Sequence, residues 1–175
     1  MHSVRISAAL VAALVALAGC SSSKDVPTGK LTCPAAFAAP NLDSYTVFRS
    51  GAAANPTTAD IAFGVKVMTV KSACKNETGG VRVVTTISFA AVRNDADFRQ
   101  GDFTYFVAVA DAQQNILAKQ NFALRVDFAP RQRQMRIVDE ITEHLPVKDL
   151  SVAGNYAVIV GLQIDKQQLE LNRQR

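Results

Sequence analysis

The 175-residue chain reads as an all-β protein: an immunoglobulin- or fibronectin-like antiparallel sandwich of two sheets with a short C-terminal helix. Three observations carry that expectation. Apolar residues recur every second position in most segments after residue 43, the period of a half-buried strand. Turn-forming clusters interrupt them at short spacing and leave seven strand candidates, a number that also fits an open barrel. The period changes only at the tail.

The elements follow from the residues in order. Ser44–Arg49 is a short strand. Residues 60–71 alternate, with Ile61, Phe63, Val65 and Val67 on one face. Residues 81–93 repeat the pattern with Val81, Val83, Thr85, Ile87 and Phe89 inward. Asn76-Glu77-Thr78-Gly79-Gly80 supplies the turn between them, placing Cys74 at the hairpin tip. Phe103–Ala110 is apolar on both faces, as expected of a central strand covered on both sides. After a turn at Asp111–Asn115, Ile116–Phe128 returns with Ile116, Ala118, Phe122, Leu124, Val126 and Phe128 on one side. Ala129-Pro130-Arg131 breaks that strand, Arg133–Ile141 forms the next, and Leu145-Pro146 ends it. Ser151–Asn155 turns into Tyr156–Ile164. Asp165 then caps a helix of one to three turns, with Gln168 three residues on.

Composition bounds the rest. Hydrophobic residues make up 49% and charged residues 19%, values that exclude a disordered or collagen-like polymer and allow one domain with a core. Fourteen of the first 19 residues are apolar, twelve of them after the short Met1–Arg5 stretch with its positive charge, so part of that figure belongs to a leader of secretory type. The apolar run is shorter than the roughly 20 residues of a membrane-spanning helix. It ends at Leu17-Ala18-Gly19-Cys20, which resembles the lipobox of bacterial lipoproteins. The resemblance implies cleavage after Gly19 and acylation of Cys20, an anchorage that is effectively permanent at about 0.8 kcal/mol per buried methylene. Ser21 and Ser22 stand where an aspartate marks inner-membrane retention in well-studied envelopes, which favours the periplasmic side of the outer membrane.

Three regions result: a signal peptide at 1–19, a lipidated cysteine with a flexible tether at 20–32, and the sandwich at 33–175. Cys33 and Cys74 are the remaining thiols. An even pair in an oxidising compartment reads as a disulfide, with two buried free thiols as the alternative.

Chemistry-bearing residues are sparse, and neither a catalytic group nor a cofactor is expected. His144 is the one histidine beyond the leader, and no G-x-S-x-G elbow accompanies it. Asp95, Asp97 and Asp102 miss the EF-hand spacing, and no zinc set is present, so no metal is expected. Arg131, Arg133, Arg136 and Arg173 form a candidate interaction surface toward anionic headgroups, murein or an acidic partner. Without Arg5, 18 basic residues face 15 acidic ones, too even a balance for nucleic-acid binding. Phe103, Tyr105, Phe106, Phe122 and Phe128 suggest either an ordinary core or a site for an apolar ligand.

Tyr105–Asp111, Asn115–Gln120, Val160–Ile164 and Leu169–Arg173 together resemble a family of small alphaproteobacterial envelope lipoproteins. Its pattern is a lipobox, an early Cys-Pro, a second cysteine before a strand, a Y-F-V-A-V strand, an I-L-A-K return and a G-F-Q-L-T ending with E-L-x-x-N-R. The likeness spans residues 33–173, with Leu162 in place of the aromatic residue and Ile164-Asp165 in place of Leu-Thr. It implies the anchored topology and the Cys33–Cys74 pair, and carries no catalytic residue. The expected role is a non-enzymatic module meeting an envelope protein, a complex or murein. A periplasmic binding module or chaperone for an apolar ligand or client is the alternative.

Overall fold

The computed structural model describes residues 27–53 and 56–174. Eight strands are found there: β1 (Ala35–Ala38), β2 (Ser44–Phe48), β3 (Ile61–Glu77), β4 (Gly80–Arg93), β5 (Gln100–Ala110), β6 (Ile116–Asp127), β7 (Gln134–Leu145) and β8 (Ala157–Leu162). Helix α1 (Lys166–Arg173) follows. The strands form two four-stranded sheets, β1-β8-β5-β6 and β2-β3-β4-β7. Pairing β4 with β7 in one sheet and β5 with β8 in the other reproduces the B–E and C–F pairs at the centre of an immunoglobulin sandwich, with β6 beside β5 as C′. The position beyond β8 is taken by β1, which runs parallel to it.

Alternation places the core as expected. Val81, Val83, Thr85, Ile87 and Phe89 of β4 are fully buried, as are Phe63 of β3, Tyr105 of β5, and Val158 and Val160 of β8. Phe89 meets Phe103 and Tyr105 across the layers at ring distances of 5.2 and 5.1 Å. Gly101 lies directly under the Phe63 ring, where any Cβ would come within 2.7 Å of it. The outer side of β5 is covered too: Phe106 and Ala108 pack with Ala39, Leu42 and Ile159. That accounts for the two-sided apolar character of this strand.

Several expectations are corrected. Residues 27–32 are docked on the domain and do not belong to a free tether. Pro27 is buried, Thr28 bridges to Asp149, Leu150 N donates to Thr28 O at 2.7 Å, and Leu31 packs on the core. Polar composition concealed this docking because its hydrogen bonds are made by backbone, which almost any sequence supplies. β1 precedes the first strand expected from the sequence; four small or aromatic residues are too few to show a period.

Cys74 sits inside β3, paired with Val83, while the turn residues are Thr78 and Gly79. A bulge at Met68 advances β3 by one residue, so the inward positions change from Phe63, Val65 and Val67 to Val70, Ser72 and Cys74. The bulge thereby aims Cys74 at the start of β1. Finally, the inward side of β6 is covered only from Phe122 onward. Ala118 is exposed on this edge strand, and Ile116, 54% exposed, does not face inward at all: a register shift between β5 and β6 sets it opposite Ala110 on the outer face.

Candidate functional site

Strand directions define two ends of the sandwich. β4 rises fourteen residues from Gly80 to Arg93, roughly 40 Å at about 3.3 Å per residue. At its lower end are the β3–β4 turn, Leu145 opposite Val81, and the entering chain at Pro27-Thr28. At its upper end, loop 94–99 and turn 129–132 come together.

The lower end is held by ties between chain segments. Cys33 and Cys74 form a disulfide with Cα atoms 5.6 Å apart, and Ser72 Oγ donates to Pro34 O at 2.8 Å. Arg82 holds Glu77 through two hydrogen bonds of 3.0 and 2.6 Å, which keeps the Glu77 carboxyl below its ordinary pKa. His144 Nδ1 stands 4.0 Å from the same carboxylate, so the histidine is part of an exposed charged cluster on neighbouring strands. On β7 the inward-facing Glu143 is half-buried, and this desolvation raises its pKa.

The upper end is organised by Arg93. The inward phase of β4, continued past Phe89 and Ala91, reaches this residue, which is 3% exposed. Its Nε donates to Gln132 O at 2.6 Å, Nη1 to Ala96 O and Phe98 O, and Nη2 to Ala129 O. The guanidinium also lies 5.5 Å from the Phe128 ring centroid. One buried cation thus gathers four carbonyls from two loops. The alternation signal that could have identified it was present; its arginine identity disguised an inward position.

Around Arg93 lies an open groove of about 420 Å³ lined by Arg93, Asp95, Ala96, Arg99, Pro130, Arg131 and Arg133. Arg133 Nη1 and Arg49 Nη2 each approach Asn94 O at 3.4 Å, and Arg49 Nε is 3.9 Å from Asp95. Two guanidinium groups therefore converge on one carbonyl. The side chains of Arg99 and Arg131 are exposed and make no hydrogen bond or ion pair among the described residues. Arg131 holds φ +70° at the third position of the turn Ala129–Gln132, where glycine or asparagine is usual.

The four expected surface arginines are thus divided. Arg131 and Arg133 share the groove with Arg93 and Arg99, and Arg49 reaches its edge at Asn94 and Asp95; the sequence pattern did not single out these three. Arg136 lies on the outer face of its sheet and donates to Ser88 Oγ at 2.8 Å. Arg173 lies on α1 and pairs with Glu170 at 2.6 Å. Cys20 lies outside the described residues.

The acidic loop does not gather its oxygens. Asp95 accepts from Asp97 N, and Asp102 pairs with Arg125 at 2.8 Å. Among the described residues no three His, Cys, Asp or Glu side chains are placed to hold a metal. The five aromatics contribute to packing: Phe103, Tyr105 and Phe128 are in the core, Phe122 stacks on Tyr105 at 5.1 Å, and Phe106 lies beneath Lys119 at 4.2 Å. Tyr105 donates its hydroxyl to Asp139 at 2.7 Å, and burial with this bond raises the phenol pKa. Two further grooves of about 520 Å³ are open and partly polar, one over the Asp102–Arg125 pair and one between β2 and α1.

No family model matches the chain, and no curated protein matches it. Among solved structures, a DUF1425 family member from Shewanella sp. pv-4 is similar at a TM-score of 0.31 and 14% identity, covering 70% of this chain and 99% of its own.

Proposed function

We propose that the chain is a bacterial envelope lipoprotein, held through acylated Cys20 on the periplasmic side of the outer membrane, and that it acts as a non-enzymatic docking module for an envelope protein, complex or murein. The observation that carries this reading is the distance between the lipobox and the folded domain. Pro27, the first described residue and a buried one, follows Cys20 by only seven positions. Seven residues extend at most about 25 Å, so an anchor at Cys20 holds the lower end of the sandwich close to the lipid. Docking is favoured over binding of an apolar ligand because the aromatics that suggest such a ligand pack within the fold.

Replacement of Cys20 by alanine tests the anchor. The expected result is loss of palmitate labelling and a shift from the outer-membrane fraction to the soluble periplasm. Continued co-fractionation of the variant with the membrane would falsify lipid anchoring.

A further inference from the structure

We infer that the arginine groove at the upper end is a binding site for an acidic peptide segment, whose side-chain carboxylates it receives away from the anchoring membrane. The direction it faces, and with it the exclusion of the anchoring membrane's headgroups, rests on the proposed anchor; the preference for an anionic ligand does not.

The groove lining carries four arginines against one carboxylate, Asp95. Arg93 is occupied by backbone carbonyls and serves as the floor. Arg99 and Arg131 leave their guanidinium groups unengaged, and Arg133 has only its long contact to Asn94 O. Each is a planar fork suited to a carboxylate.

A second observation is the backbone at Arg131. A β-turn that would ordinarily place glycine at this position instead holds an arginine at φ +70°, a conformation disfavoured for side-chain-bearing residues. The arrangement keeps a cation at the groove rim at the expense of local stability, as expected where the side chain has a use.

The fold also says which anion fits. β7 begins at Gln134, directly after Arg133, and is the edge strand of its sheet. Its free main-chain groups can extend a peptide that enters the groove. Lipid headgroups of the anchoring membrane are a poor match, since roughly 40 Å of β4 separates the groove from the entering chain.

The test is fluorescence anisotropy of a labelled hexaglutamate peptide titrated with the detergent-solubilised full chain at low and moderate salt. Saturable binding is expected. Arg99→Ala and Arg131→Gly should each weaken it about threefold, and together about tenfold, the scale of exposed charge pairs. Arg173→Ala should leave it within about twofold. Arg131→Gly should melt at or above the parent temperature, separating lost binding from lost folding. Absence of binding, or binding unaffected by the double variant, overturns the site. Displacement by millimolar inorganic phosphate beyond an equal ionic strength of chloride, or tighter arginine-dependent binding to phosphatidylglycerol vesicles, overturns the carboxylate peptide as its ligand. The Cys20→Ala chain should bind the peptide equally, so a failed titration rejects the groove and a failed fractionation rejects the anchor.

Discussion

The two ends of this sandwich are closed by different means. At the lower end the chain enters beside Asp149, and a disulfide, a main-chain bridge and the two-residue turn at Thr78-Gly79 hold the segments together. The turn needs Gly79 at φ +85°. At the upper end no covalent tie joins loop 94–99 to turn 129–132; a buried arginine does so through their carbonyls. A covalent closure suits the end that would carry the load of an anchor. A cationic closure adds positive charge here without a partner carboxylate, since Arg93 bonds to neutral carbonyls, and beside it Arg99 and Arg131 make no ion pair among the described residues.

This contrast can be broken by substitution. The largest expected effect is at Arg93: alanine there removes the cation, leaves a cavity and takes one donor from each of four carbonyls, of which Ala129 O keeps Gln132 N, costing about 4 kcal/mol in denaturant unfolding. A loss below about 1 kcal/mol would mean that the loops close without it. Next is the lower end, where Cys33→Ser with Cys74→Ser should cost about 3 kcal/mol under non-reducing conditions, the bridge joining positions 41 apart in sequence. Equal stability of variant and parent would show that the backbone bridge suffices. Smallest and opposite in sign, Arg131→Gly should stabilise by about 0.5–1 kcal/mol as the positive φ is relieved. Destabilisation would show that its side chain helps hold the turn.

Much of the core was legible because alternation is a local property. The inward residues of β4 could be read from Val81 to Phe89, and Asp165 could be identified as the cap of α1, where its carboxylate accepts from Gln168 N at 2.8 Å. β3 was legible only up to its bulge, since Met68 looks ordinary in sequence and inverts the face of every residue after it. The candidate site was legible in part. Arg131 and Arg133 are close in sequence, whereas Arg99 reaches them through the pairing of β4 with β7, and Arg49 through the successive pairing of β2, β3, β4 and β7.

By itself, the sequence determined seven of the eight described strands, most of their buried faces and the helix cap, since each depends on residues near one another along the chain. Tertiary structure decided that β1 lies parallel to β8, that residues 27–32 dock on the domain, that Cys74 turns toward Cys33, and that separate arginines form one groove. Those outcomes depend on the register and order of distant strands. A shift of one residue reverses a strand's faces, and no local period records which strand will become its neighbour.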